Sequence, residues 1–497
     1  MNISMLLDMA ADGYDDRIAV GPVEGGVSYA ELRRDATSVA SELTRRGADR
    51  LVLASVNVDE IPSLMFGSAL ASAVFTAVNY RLADDKLREA LGRCSPAVVV
   101  ADEITRPRLD GVDGLTFVMA GELTGAALLR PDELTQSDPD GVAISLFTSG
   151  TSGAPKTVLL RHRNLVSYII TTTEFMGAEE GEAALVSVPP YHVAGMASVL
   201  SNVYLGRRIV YMAQFDARDW VETVIRERIT HAMIVPTMLG RILDVLDETG
   251  STLDSLRHLS YGGGRMPMPV VLRALQLLPD VAFVNAYGLT ETSSTIALLG
   301  PEDHREALRS DDEAVAARLG SVGRAVPGIE LQVWGVDGSP VAPRVSGEIV
   351  VRGEQVSGEY DGNDTKDGAG WFRTNDNGWL DEDGYLFIEG RADDVIVRGG
   401  ENMSPGEIED VLLQHEQVAD VAVFGVPDEE WGEVVAAFVV PADGAAADPD
   451  ELRQWVRDRL RSSRMPTVIE FRTTLPYSET GKLLRRELRA ALSASGA

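Results

Sequence analysis

The chain alternates amphipathic helical stretches with short apolar, β-branched runs, and that alternation confines it to an α/β architecture. Ser28 is placed to cap a helix over Tyr29–Arg46, whose Leu32, Ala36, Val39, Ala40 and Leu43 share one face. Leu51–Ser55 then reads as a strand, Ile61–Ala73 as a helix, Val74–Val78 as a strand, Asp84–Arg93 as a helix and Ala97–Ala101 as a strand. A looser stretch, Asp102–Asp140, leads to a buried strand at Val142–Phe147. The middle repeats the rhythm, with strands at Leu185–Val188, Arg208–Tyr211, His231–Val235, Leu256–Tyr261 and Val281–Ala286 and helices such as Asp216–Arg228 and Pro236–Asp247. Ligands of such sheets bind beyond the C-terminal strand ends.

After Ser321 the texture turns to β, with short strands at Ile329–Trp334, Gly347–Val351 and Gly384–Ile388. From Ser404 a small α+β unit follows: helix Pro405–Gln414, strands Val418–Val426 and Val434–Val440, and helix Asp450–Ser462. At 497 residues the chain exceeds one ordinary core. The expected class is α/β: a large N-terminal domain (1–391) of parallel and mixed sheets with flanking helices plus a β subdomain, and a small mobile α+β C-terminal domain (392–497).

The formal net charge of −31 repels nucleic acid and anionic membranes. It also repels nucleotides, so a nucleotide site here must be built from local cations and backbone N–H groups. Cys94 is the single cysteine, which excludes an intramolecular disulfide and a Cys-based metal cluster. The first residues lack a basic, long-apolar signal pattern, and no apolar run is long enough to span a bilayer, so a cytoplasmic location without membrane insertion is expected.

The apolar strand Val142–Phe147 empties into Thr148-Ser149-Gly150-Thr151-Ser152-Gly153-Ala154-Pro155-Lys156. Small residues there let backbone N–H groups form an anion nest, and Lys156 supplies a positive charge. This is not a P-loop, because Pro155 stands where that pattern needs Gly before its Lys. A second stretch, Asn285–Thr292, offers Tyr287 to stack on a purine, Thr290 for a phosphate oxygen and Glu291 for Mg²⁺. The same residues also fit a plain strand-to-helix turn with Thr290 as N-cap. Asp376, in WFRTND, is either a turn former or a carboxylate for ribose hydroxyls. Two further stretches, Gly390–Asn402 and the loop Ser478–Lys482, complete the set.

The order and spacing of FTSGTSGAPK, NAYGLTET, WFRTND, GRADDVIVRGGEN and ETGK, spanning Phe147 to Lys482, resemble the adenylate-forming superfamily: acyl- and aryl-CoA ligases, luciferases and nonribosomal peptide adenylation domains. The resemblance implies that Thr148–Lys156 holds the β- and γ-phosphates of ATP. It implies Thr290 and Glu291 at the α-phosphate and Mg²⁺, Tyr287 beside adenine, and Gly263 and Gly264 lining adenine and acyl group. Asp376 matches the ribose-binding Asp, Arg391 a second ribose or phosphate contact, Asp393 the hinge of the small domain, and Lys482 the lysine that bridges carboxylate and α-phosphate.

PPYHVAG resembles the loop whose His, here His192, closes on the acyl pocket of CoA ligases. Acid-binding candidates are His192, Val193, Met196, Gly263, Tyr287 and Gly288, a neutral to apolar set that favours an aromatic or medium-chain aliphatic acid. No Asp occurs in that loop to meet an α-ammonium group. Arg398, Gly399, Gly400 and Trp431 resemble the CoA-facing side. The implied partners are ATP, a carboxylic acid and CoA, with an acyl carrier protein as the alternative acceptor and a homodimer compatible with the chain. A luciferase-like oxygenase and a non-catalytic nucleotide-binding paralogue are the rival readings. Asn375 departs from the usual Gly before the ribose Asp, and Val397 from a Lys found after Ile in many relatives.

Overall fold

The computed structural model describes all residues except 131–137, 149–155, 392–393, 399–400, 429, 443, 446, 478–482 and 496–497. Local signals near the N-terminus set the first elements. Ser28 accepts from the N–H of Glu31 while Glu31 reaches back to Ser28, and this capping box starts the helix Tyr29–Arg46. Gly47, at φ 61°, ends it. Leu32, Ala36, Val39, Ala40 and Leu43 are all buried, so the predicted stripe is the buried face.

Two large sheets follow from the alternation. In one, Leu115–Val118, Ala97–Ala101, Arg50–Ala54, Val74–Ala77 and Val142–Thr148 lie side by side and parallel, and Lys156–Arg161 then turns back antiparallel. In the other, Ala282–Leu289, His258–Gly262, His231–Ile234, Ala183–Val186 and Arg208–Tyr211 are parallel neighbours in that order. One apolar cluster, from Leu6 through Phe66 and Ile144 to Leu239, fills the space around both sheets. A four-stranded antiparallel sheet, Glu330–Trp334, Gly347–Arg352, Phe372–Leu380 and Leu386–Arg391, has its own core around Val333, Ile349 and Phe372. Beyond it, Val418–Asp428 and Gly432–Pro441 form the long hairpin of a separate small sheet, packed on the helix Pro405–Leu413 through Ile408, Leu412 and Val423. This is the α/β class expected.

Three readings are corrected. Asp102–Asp140 is more ordered than expected, because Leu115–Val118 adds an edge strand and Ala120–Thr124 a short helix; the strand is only four residues long and its Thr-Phe-Val pattern is too brief to signal. The strand placed at Val281–Ala286 runs on to Leu289, since Ser294–Leu299 folds back and pairs with it. Asp376 lies inside the strand Phe372–Leu380 rather than at a turn.

The last correction explains a departure from the family pattern. Glu348 pairs with Asn377 and Val350 with Arg373, so Ile349 alone faces Thr374, Asn375 and Asp376. The bulge is held by Thr374, whose hydroxyl donates to Ile349 O (2.8 Å) and accepts from Asp376 N–H (3.1 Å). Asn375 sits at its crest at φ 57°, a left-handed conformation where Gly is natural and Asn the best-tolerated alternative. Asn375→Gly should therefore be near neutral in chemical denaturation. Asn375→Val should lose about 1–2 kcal/mol, and equal stability of the two variants would refute the bulge argument.

Candidate active site

The parallel strands Ala183–Val186, His258–Gly262 and Ala282–Leu289 bring the predicted residues to one sheet edge. His192 follows the first of these strands and stands at the N-cap of the helix Val193–Leu205, its ring 4.6 Å from that of Tyr191. On that helix Met196 is buried and Val193 packs on the core. Gly263 and Gly264 follow the second strand. Tyr287 and Gly288 lie in the third, where a Cβ on Gly288 would come within 1.9 Å of Ser294 O, so close strand pairing by itself demands glycine there.

Tyr287 donates to Asp376 Oδ2 at 2.6 Å. Burial, and then the Asp376 carboxylate, push this phenol well above its ordinary range, so it stays a donor. Asp376, 7% exposed, also has Arg391 Nε 3.5 Å from Oδ1, from the neighbouring strand where the two residues are Cα partners. One Asp thus gathers an aromatic from the large sheet and a cation from the β subdomain, and Arg391 stays solvent-facing.

Three residues after Tyr287, the chain turns through Thr290–Thr292. Thr290 is not the cap: Leu289 N–H donates to the Thr292 hydroxyl at 3.0 Å, and among the described residues the Thr290 hydroxyl makes no hydrogen bond, its carbonyl accepting Ser293 N–H at 3.2 Å. Glu291 is buried, accepting from Tyr360 Oη at 2.6 Å through Oε1, and its carbonyl takes the N–H groups of Ser357 and Gly358 at 2.9 and 3.0 Å. The ring face of Tyr360 carries Lys156, whose Nζ is 5.1 Å from the ring centre. Among the described residues no carboxylate pairs with Lys156. A buried carboxylate with a spare oxygen, a free hydroxyl and an unneutralised lysine is a donor set that fits a metal-bound polyphosphate. Tyr360 escaped the sequence reading, since a lone Tyr in SGEYDG gives no signal of what it faces.

A cavity of about 320 Å³ opens nearby, lined by Asn57, Tyr80, Ser187, Pro189 and Arg241 and bordered by Tyr477 of the small unit. Asn57 donates to Val188 O and Met212 O (both 3.0 Å), but its Oδ1 and the Ser187 hydroxyl are buried without hydrogen-bond partners among the described residues. Neither residue was singled out from sequence, because their burial depends on strands far apart in the chain.

On the small unit, Arg398 lies over Trp431 with its guanidinium carbon 5.4 Å from the ring centre, and donates to Ser463 O at 2.7 Å. Val397, at the departure from the family Lys, donates its N–H to Glu433 Oε2 at 2.7 Å. Ser149, Gly150, Thr151, Ser152, Gly153, Asp393, Gly399, Gly400 and Lys482 lie outside the described residues.

This geometry fits a nucleotide-dependent acid-activating enzyme. Family models agree: residues 7–361 match the AMP-binding enzyme family and residues 407–482 its C-terminal domain. A feruloyl-CoA synthase from an Amycolatopsis species is 34% identical, over 93% of each chain. A fatty acid–[acyl-carrier-protein] ligase of Streptomyces coeruleorubidus is 31% identical, over 93% of this chain and 91% of that one. Among solved structures, the o-succinylbenzoate CoA synthetase of Bacillus subtilis with its acyl-adenylate intermediate superposes with a TM-score of 0.84 at 27% identity, covering 97% of each chain. The chain belongs to the AMP-binding enzyme family and is an AMP-forming acid–CoA ligase.

The Tyr287–Asp376 contact yields a first test of the site. Tyr287→Phe removes a donor from a buried carboxylate and should lower unfolding stability by about 2 kcal/mol. An unchanged denaturation midpoint would show that the bond contributes nothing.

Proposed function

We propose that this enzyme uses MgATP to convert an aromatic or medium-chain aliphatic acid to its acyl-adenylate, releasing pyrophosphate, and then passes the acyl group to the thiol of CoA. The observation that carries the reading is the meeting of Lys156 and Glu291 on the two sides of Tyr360, one short turn from the Tyr287–Asp376 pair. In this reading Thr148–Lys156 receives the β- and γ-phosphates, Thr290 the α-phosphate, and Asp376 with Arg391 the ribose hydroxyls. Glu291 would hold Mg²⁺, which when bound draws charge from the phosphate oxygens.

The carboxylate of the acid and the α-phosphate are both anions, and their approach is the main barrier. Lys156 and Lys482 offset that repulsion. No general base is required, because a carboxylic acid is ionised at neutral pH. The two domains divide the work: 1–391 binds ATP and acid, and 392–497, turning at Asp393, brings Lys482 and then the Arg398–Trp431 face to the site. His192, with Val193, Met196 and Gly263, closes the acyl pocket.

The cavity below Tyr477 suits the acceptor's amide-bearing arm, since among the described residues Asn57 Oδ1 lacks a donor and Ser187 Oγ lacks a partner. A phosphopantetheine arm on a carrier protein has the same amides, so this feature does not choose the acceptor. One observation favours the second reading. Arg457, Arg459 and Arg461 are each exposed at or just beyond the end of the helix Pro449–Arg459, a local run of positive charge, broken by Asp458, on a strongly acidic chain. An acidic carrier protein would be attracted there.

The deciding experiment measures AMP release with MgATP and a panel of benzoates, cinnamates and C4–C12 acids, with CoA, with a phosphopantetheinylated carrier protein, and with neither. Thioester formation with CoA at kcat/KM at least tenfold above the carrier protein is expected. Efficient loading of the carrier with CoA unused would transfer the assignment to the second reading. Lys482→Ala should lower acyl-adenylate formation by about 10²–10³-fold, with ATP binding retained.

A further inference from the structure

Tyr360 belongs to none of the motifs that point to nucleotide binding, yet it touches two of them. It is the second residue of the strand Glu359–Tyr360, which pairs with the strand leaving the phosphate loop, Tyr360 opposite Val158. Its position is held from every side. Glu359 makes a two-fold ion pair with Arg161 (2.8 Å on both nitrogens), Asp361 N–H donates to Thr157 O (2.9 Å), and the Ser357 hydroxyl donates to Leu159 O. Lys366 Nζ donates to Ser357 O at 2.7 Å and Val356 O at 3.2 Å. Ser357 and Gly358 in turn clamp the carbonyl of Glu291. The ring therefore cannot drift from the turn or from the strand.

We propose that Tyr360 is a positioning residue for the phosphate end of ATP: its hydroxyl fixes Glu291 Oε1 and its ring face carries Lys156, so one side chain sets the distance between the metal-binding carboxylate and the phosphate-binding cation. The division of labour is chemical. Oε1 is occupied by the phenol, and Oε2 has no hydrogen-bond partner among the described residues, leaving it for a hard cation. Without the phenol, Glu291 is free to rotate toward Lys156, and a carboxylate–ammonium pair would neutralise both groups the polyphosphate needs. The aromatic face attracts the ammonium without neutralising its charge, which a carboxylate partner would do.

The inference rests on the MgATP reading of this site, and Tyr360→Phe and Tyr360→Leu test it separately. Binding of a non-hydrolysable ATP analogue is measured by calorimetry at a series of Mg²⁺ concentrations, beside steady-state KM for ATP and for the acid. Tyr360→Phe keeps the ring beneath Lys156. Its Mg²⁺-free analogue affinity should fall by only about threefold, the scale of an exposed ion pair between Lys156 and the released carboxylate, while the Mg²⁺ concentration giving half-maximal enhancement rises about tenfold, the scale of one hydrogen bond to a charged group. Tyr360→Leu should add a loss of about threefold in Mg²⁺-free affinity, the scale of an exposed cation–π contact. Both variants should raise KM for ATP and leave KM for the acid unchanged.

Phe and Leu variants that differ from wild type only in thermal stability, with the same Mg²⁺ dependence, would overturn the proposal and leave Tyr360 as packing. If Tyr360→Leu does not fold, Tyr360→Phe alone decides through its Mg²⁺ curve. A wild-type enzyme that fails to bind the analogue at any Mg²⁺ concentration would instead defeat the MgATP reading itself.

Discussion

The contact on which the site depends is the clasp of residues 357–361 across the strand Lys156–Arg161 and the turn at Glu291. The phosphate loop and the carboxylate turn come from different sheets, one following Val142–Thr148 and the other ending Ala282–Leu289. Parallel sheets supply no direct bond between such strand ends. The clasp supplies it through backbone: two N–H groups on the Glu291 carbonyl, and one N–H on Thr157 O. Arg93 reinforces the junction, donating to the Thr157 hydroxyl (3.0 Å) and to Asp361 (3.3 Å). Because these are mostly main-chain bonds, the geometry is set by the fold and is insensitive to side-chain rotamers.

The small unit is fixed around its own buried charge pair. Arg485 donates to Glu409 Oε1 at 2.5 Å and to Val423 O at 3.0 Å, and the same Oε1 accepts Val423 N–H at 2.8 Å. An ion pair this enclosed adds little net stability, because desolvation offsets the attraction, but removing one partner is costly. Its value is positional. Arg485 begins the last helix, and Tyr477, bonded to Asp420, pairs with Leu483 across the segment that contains Lys482. Both flanks of the lysine-bearing segment are thus tied to the long hairpin. Across to the large unit, Arg265 follows the Gly262–Gly264 segment, bonds Asp410 and packs where a Cβ on Gly406 would come within 1.8 Å of its guanidinium. The small unit therefore touches the segment that follows the strand His258–Gly262.

How much of this was legible in the sequence follows from where each determinant resides. Local determinants read well: the helix Tyr29–Arg46 was bounded by Ser28 and a stripe, and the strand Ala97–Ala101 by its β-branched run. Asp376 did not read as a strand residue, because Thr-Asn-Asp-Asn has turn chemistry and only the three-against-one bulge opposite Ile349 turns it into sheet. Thr290 likewise carried a good capping signal, yet Thr292 closes the turn once Ser294–Leu299 pulls the chain back into a hairpin. Tyr360, Asn57 and Ser187 were invisible for one reason: each matters through atoms that long-range pairing brings beside it, 69 residues away for Tyr360 and Glu291.

A strongly acidic chain that binds a polyanion must solve an electrostatic problem locally, and the arrangement of arginines bears on how. Arg161, Arg207, Arg208, Arg318 and Arg352 are committed to carboxylates within 3.3 Å. Lys156 is left uncommitted among the described residues at the mouth of the phosphate loop, and Arg391 keeps most of its guanidinium toward solvent while touching Asp376. Pairing most cations elsewhere confines unneutralised positive charge to a few places. The net field then repels anions from the general surface, while Lys156 and the solvent-facing part of Arg391 offer positive charge locally. In the proposed reading, selectivity for a polyphosphate would follow from that contrast and from the placement of Glu291 and Lys156 around Tyr360.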